Sequence, residues 1–398
     1  MRDNVISVSQ KILLITFYLL LQFQFAYVLE FPITVSLVGL VFFLTYFVEF
    51  EINYKILLSI SFFSILSITN QLISNNIGNE IQFLRTFLLV LFSIVILGNA
   101  FTAKLKLNTD LKIQIMLKAL TILAIISILQ AILGYRFGSF VTSPLGKFSY
   151  QYQYTADLNS NLTRASGLYS EPSFNALVCL SFLPIVLSIK DKRKRITYSI
   201  ISSGYMISTF SLTGILSLGL IFLIWFWEDR KIRMFPILSF AVLIMITSNY
   251  IFKRWQTLSV EGSSANYRLV APLRAIIEVI PENLVGIPLG SLESTFRKFE
   301  FLNGNQIGSS VDNGYALLIL YFGMIGVLGV ALIFIYTLHI AVLMSRKNMY
   351  GWQMVLIPSL TLNFNGGIFL PDFLSVLTLI IITLRLNISR NLEEVGAK

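Results

Sequence analysis

The sequence predicts an all-α polytopic membrane protein with about 12 transmembrane helices and two long outer loops. Three observations carry this. Of the 398 residues, 56% are hydrophobic and only 13% charged, about half the charge of a soluble domain. The apolar residues come in runs close to the ~20 needed to cross the hydrocarbon. Lys and Arg collect on alternate connections, as the positive-inside rule requires. The charge deficit excludes a cytosolic enzyme and a disordered chain. The single cysteine, Cys179, excludes a disulfide-stapled secreted domain.

In chain order the expected spans fall at about 12–29, 31–48, 56–73, 83–101, 113–134, 172–189, 196–210, 212–227, 234–251, 314–345, 350–363 and 370–386. The first follows Met1-Arg2-Asp3 and Lys11 without a small-residue cleavage site behind it, so it is expected to stay as an anchor. With the N-terminus inside, the inner segments hold Lys55, Lys104, Lys106, Lys112, the run Lys190 to Arg195, Arg230, Lys231, Arg233, Arg346, Lys347, Arg385 and Arg390. Segment 74–82, on the outer side, has no Lys or Arg. Both termini are therefore expected in the cytoplasm.

Residues 1–398 read as a single integral membrane domain, and its outer connections at about 135–171 and 252–311 are the long ones. They are rich in Tyr, Phe, Arg and Glu, so they are expected to be folded and to form the active-site region. No internal repeat is evident, which argues against a transporter built from repeated halves. The net charge of +10 reports topology before partners, so no nucleic acid is inferred. One His (His339) and one Cys argue against a zinc or haem site; Asp and Glu residues remain able to hold Mg²⁺ or Ca²⁺, but no carboxylate cluster is evident.

Four constellations could carry chemistry. The first is Arg164-Ala-Ser-Gly167-Leu-Tyr-Ser-Glu171-Pro172-Ser173. Pro172 suits the first turn of a helix, Glu171 sits where the macrodipole favours an anion, and Gly167 permits close backbone approach. Arg164 and Glu171 either form part of a site or pair to fix a loop. The second is Asp312-Asn313, followed by Gly323 and Gly326. The pair is either a helix N-cap or part of a site at the lip of the bilayer, and the glycines suit close packing.

The third is the basic set Arg85, Arg254, Arg268, Arg274, Arg297 and Lys298. Arg85, just inside the outer end of the fourth span, either snorkels to headgroups or faces a cavity and offers phosphate oxygens a bidentate fork. Arg274 and Glu278 are spaced to pair along one helix. The fourth is Lys147-Phe148-Ser-Tyr150-Gln-Tyr152-Gln-Tyr154. Its period of two puts the aromatic rings on one face of an extended segment, which suits either sugar rings or the membrane interface.

Taken together, these motifs resemble those of the O-antigen polymerase and O-antigen ligase superfamily of bacterial membrane proteins. The resemblance rests on Arg164-x-x-Gly167-x-x-x-Glu171-Pro172-Ser173, Ser211-Leu-Thr-Gly214, Ser264-x-x-x-Arg268 with Pro281 to Gly286 and Pro288-Leu-Gly290, and Asp312-Asn313-x9-Gly323-x2-Gly326. The ligase pattern has His where this chain has Asp312, so the chain looks more like the Wzy-type polymerases. That resemblance implies a C-type glycosyltransferase (GT-C-like) architecture in the bacterial inner membrane, an outward-facing site and a metal-free reaction. The implied substrate is an undecaprenyl-diphosphate-linked oligosaccharide in membrane lipid, and the family usually has a polysaccharide chain-length regulator as partner. Arg164, Arg268 and Arg85, with Arg274 behind them, are then the residues expected at the diphosphate. Glu171 is the first and Asp312 the second candidate base, and Asn313, Tyr150 and Tyr152 are expected to contact substrate. A ligase and a lipid-linked oligosaccharide flippase are the competing readings.

Overall fold

The computed structural model describes residues 35–73, 80–106, 109–133, 164–167, 172–187, 191–211, 270–298, 313–346 and 371–396, with a few isolated positions besides. The helices among them are α1 (Val35–Phe47), α2 (Tyr54–Ile73), α3 (Glu80–Thr102), α4 (Thr109–Leu133), α5 (Pro172–Leu187), α6 (Lys192–Ser208), α7 (Ala271–Val279), α8 (Leu292–Lys298), α9 (Gly314–Arg346) and α10 (Pro371–Gly396). A lone bridge between Val48 and Leu105 is the one β pairing among the described residues.

By length and composition, four stretches are long and apolar enough to cross a membrane: Tyr54–Ile73, Glu80–Thr102, Gln114–Leu133 and Gly314–Tyr336, the last of them interrupted at Gly323. In all but Gln114–Leu133 less than a quarter of the most apolar 18 residues is fully buried, although α3 also packs half-buried Phe83, Phe87, Leu91 and Leu97 on the core. The expected spans at 31–48, 172–189, 196–210 and 370–386 correspond to the helices α1, α5, α6 and α10. Those at 12–29, 212–227, 234–251 and 350–363 lie almost wholly outside the described residues.

Helix α4 packs on α5 and α6, α10 packs on α1, α3 and α5, and α2 packs on α3. Phe43, Phe47, Phe182, Tyr205 and Phe373 are the largest fully buried side chains of this core. One end of the bundle is tied by backbone and by basic side chains. The Glu49 N–H donates to the Lys104 carbonyl at 2.8 Å and the Lys106 N–H to the Phe47 carbonyl at 2.8 Å. Arg385 donates to the carbonyls of Ala100 and Ala103 at 2.7 and 2.6 Å, filling acceptors that the end of α3 leaves open. Lys112, at the start of α4, donates to the Tyr46 carbonyl. Asp191 caps α6 by accepting from the Arg193 and Lys194 N–H groups at 2.9 and 3.4 Å, which offsets four cations in the first turn of that helix.

The opposite end follows from helix length. From Lys112 to Gln130, α4 rises ~27 Å, about one hydrocarbon thickness. Gln130, the start of α5, the end of α6, the start of α3 and the end of α2 all share that far end.

Helix α9 departs from the single span expected at 314–345. Gly323 takes φ 55° and ψ −132° and breaks it in two. The Tyr315 and Phe334 rings stack with centroids 5.0 Å apart, although a straight helix would separate these residues by ~28 Å. A Cβ on Gly326 would lie 2.4 Å from the Leu318 carbonyl oxygen and 2.8 Å from the Ile319 Cα. The element is therefore a hairpin. A half-helix of residues 314–322 folds back on a longer helix of residues 324–346. Gly323 supplies the turn, and Gly326, lacking a side chain, supplies the close approach.

Candidate active site

Two polar assemblies occupy the end of the bundle opposite its basic end. The first holds Arg164-Ala-Ser-Gly167 between α4, α5 and α6. Gln130 grips Gly167 from both sides: its amide donates to the Gly167 carbonyl at 2.9 Å and accepts from the Gly167 N–H at 2.8 Å. Asn175, a turn into α5, donates to Ser127 Oγ at 2.9 Å and to the Ala165 carbonyl at 3.2 Å. Its Oδ1 accepts from the Tyr205 hydroxyl at 2.6 Å. The Ala165 N–H donates to the Ser208 carbonyl at 3.0 Å. Ser127, Gln130, Asn175, Tyr205 and Ser208 are all buried, so each bond is made where a missing partner costs ~1–3 kcal/mol.

The glycine of the motif follows from this packing. Gly167 has φ +62°, and a Cβ there would meet Asn175 Oδ1 at 2.5 Å. Pro172 opens α5, where its absent N–H leaves no bond unmade. The Ser211-Leu-Thr-Gly214 motif joins the same assembly. A Cβ on Gly214 would meet Met206 Sδ at 2.7 Å and Ala176 Cβ at 2.8 Å. Before it, Phe210 takes φ +45°, a conformation that costs a bulky residue roughly 1–2 kcal/mol. The Phe210 N–H bond to Ile207 O at 3.0 Å and the Ser211 N–H bond to Thr209 Oγ1 at 3.2 Å hold it there.

The second assembly is built from residues 283–290, which follow α7. Segment Asn283 to Gly290 closes on the Gly323 turn. The Met324 N–H donates to Leu284 O at 2.9 Å and the Ile287 N–H to Leu320 O at 2.8 Å. These bonds supply partners for backbone groups at the break, which an apolar setting demands. Asn70 of α2 adds a clamp, its amide donating to Ile287 O at 3.0 Å and Tyr321 O at 3.3 Å. Gly290, at φ +79°, lies against the Gln82 backbone at the start of α3.

The candidate residues distribute as follows. Arg164 is half-buried and carried by the first assembly. Arg85 is half-buried on α3, less than one turn from Gln82, and makes no hydrogen bond or ion pair with another described residue. Arg164 and Arg85 thus share one end of the bundle on different elements. Asn313 caps the half-helix, its Oδ1 accepting from the Ala316 N–H at 3.1 Å. Arg274 is exposed and pairs with Glu278 of its own helix at 2.7 Å, as their spacing implied. Glu171, Arg268, Asp312, Tyr150 and Tyr152 lie outside the described residues.

Sequence reasoning missed Gln130, Asn175, Tyr205 and Asn70. A signal was present, because carboxamides inside otherwise apolar spans need protein partners.

Comparison with known proteins gives this site a context. No solved structure matches the chain. It is 30% identical over 230 residues to an Escherichia coli (strain K12) protein named "Putative colanic acid polymerase", covering 53% of this chain and 54% of that one. The alignment thus spans about half the length of that relative. The family model described as WcaD colanic acid polymerase matches residues 9–386, nearly the whole chain. The chain belongs to the WcaD colanic acid polymerase family.

Proposed function

We propose that this protein is a Wzy-type polymerase that joins lipid-linked oligosaccharide repeat units into a surface polysaccharide. The observation that carries this reading is the family match over residues 9–386. The structure adds support: motif residues from separate parts of the chain meet in two buried polar assemblies at one end of the bundle. The basic end then faces the cytoplasm by the positive-inside rule. Both assemblies face outward from the inner membrane, in a GT-C-like bundle of about 12 spans with cytoplasmic termini.

In the proposed reaction, a hydroxyl at the non-reducing end of a new lipid-linked repeat unit attacks the anomeric carbon of the growing glycan. The bond from that carbon to the undecaprenyl diphosphate breaks, and the diphosphate leaves with the electron pair. Preorganised guanidinium groups in a water-poor site stabilise such developing charge. Arg164, Arg268 and Arg85 take this role. Arg274 stands behind them, with its Nε engaged by Glu278. Glu171 takes the proton of the attacking hydroxyl, and Asp312 is the second candidate for that base. Asn313, at the head of its half-helix and ~15 Å along it from the Gly323 turn, is kept as a candidate for contact with substrate. Tyr150 and Tyr152 present an aromatic face to sugar rings. A chain-length regulator in the same membrane is a proposed partner.

The test is a strain lacking this gene. Single repeat units at the cell surface, restored to polymer by the wild-type gene, support the polymerase. Polymer stranded on the carrier lipid would instead identify a ligase. Repeat units trapped on the inner leaflet would identify a flippase.

A further inference from the structure

Helix α7 presents three sectors rather than two. At about 100° per residue, Pro272, Ala275 and Val279 fall together and are buried. Val270, Leu273 and Ile277 fall on the opposite side, and Leu273 is 63% and Ile277 71% exposed. Arg274 and Glu278 occupy the arc between, joined by their ion pair. A helix with one protein-facing side, one bare aliphatic side and a charged edge fits a bilayer boundary.

The placement of α7 agrees. It packs on α9, and the turn that follows it closes on Gly323 and, through Gly290, on the start of α3. Exposed apolar residues continue from α7 onto those spans, through Ile81, Leu84 and Leu88 of α3 and Met324, Ile325 and Leu328 of α9. Leu284, just past α7, is exposed as well. The bare face of α7 thus belongs to a helix packed on a neighbour that carries exposed apolar residues of its own. The Arg274–Glu278 pair keeps the edge of that face neutral.

We propose that α7 is an interfacial anchor, lying at the membrane boundary opposite the basic end with Val270, Leu273 and Ile277 among the upper acyl carbons. The anchor holds the 270–298 segment at headgroup depth, so the second polar assembly opens where the diphosphate of a lipid carrier sits. The depth of α7 is independent of the polymerase reading, because it is measured without substrate; only the placing of the diphosphate rests on that reading.

The experiment uses the full chain in phosphatidylcholine nanodiscs, with a bimane label on Ile277→Cys or Leu273→Cys. Leu328→Cys of α9 serves as the lipid-facing reference, and the wild type, whose Cys179 is buried, serves as the blank. Both α7 positions are exposed, so these substitutions leave the core intact. The anchor predicts that a nitroxide at lipid carbon 5 quenches both α7 labels at least twofold more than one at carbon 16. It also predicts that aqueous iodide quenches them little. Strong iodide quenching without nitroxide quenching would overturn the proposal and place the face in water. Shielding from both quenchers would equally overturn it and assign the face to a protein partner or a second copy of this chain.

Discussion

The Gly323 turn offers the sharpest test of the architecture, through Gly323→Ala. Gly323 adopts φ 55° and ψ −132°, a combination that costs a residue with a Cβ about 1–3 kcal/mol. The new methyl would also lie 2.1 Å from Leu284 O and 2.5 Å from the Gly286 nitrogen, so the 284–287 segment must move away. Moving it breaks the Met324–Leu284 and Ile287–Leu320 bonds, each worth about 0.5–1.5 kcal/mol. The whole perturbation comes to about 2–6 kcal/mol. Even the lower figure shifts the docked segment about thirtyfold toward its undocked state. Gly329→Ala is the matched control, because nothing lies within 4 Å of its Cβ position. In detergent-solubilised protein, Gly323→Ala should melt earlier and be cut by protease within 283–291, with Gly329→Ala indistinguishable from wild type. Equal melting and equal cleavage for the two variants would refute the hairpin and its loop clamp.

Gln130→Leu should expose the 164–167 segment to protease and shorten the polymer. It leaves the buried N–H and C=O of Gly167 without partners, at about 1–3 kcal/mol each. Arg164→Lys and Arg268→Lys should keep expression and membrane insertion yet abolish long polymer, because an ammonium does not reproduce the bidentate fork; gel profiles of surface polysaccharide decide it. Glu171→Gln should lower the rate at least a hundredfold if the proton leaves through that carboxylate, where base catalysis typically gives 10²–10⁴-fold. Retention of a tenth of the activity would remove it from that role. Arg274→Ala should change stability by less than about 1 kcal/mol, since an exposed i,i+4 pair contributes little.

Three of the spans were plainly legible, because apolar run length is a strong signal that depends on no distant partner. Spans expected at 56–73, 83–101 and 113–134 meet helices ending within a few residues of those limits. The Arg274–Glu278 pair and the Asn313 cap were legible for a similar reason: both depend on spacing within one helix. The hairpin was not. Gly323 and Gly326 were visible as a close-packing pair, but Gly326 approaches Leu318 and Ile319 of its own element while Gly323 approaches the distant 284–286 segment. No local pattern separates a glycine that packs from one that turns. The Gln130–Gly167 grip spans 37 residues and depends on three helices meeting, so sequence spacing could not reveal it. The carboxamides themselves were readable. Gln130 and Asn175 stand inside apolar spans, and a polar group there needs a partner somewhere in the fold.

In the proposed reaction this chain polymerises from a lipid-diphosphate donor. The most direct measurement of it is product length when the purified protein, reconstituted in liposomes, receives undecaprenyl-diphosphate-linked repeat units and nothing else. The expected result is a ladder of lipid-linked products rising by one repeat unit per step, with undecaprenyl diphosphate released at each step and no ladder from Arg164→Lys. Unchanged single repeat units after incubation with active, folded wild-type protein would contradict it.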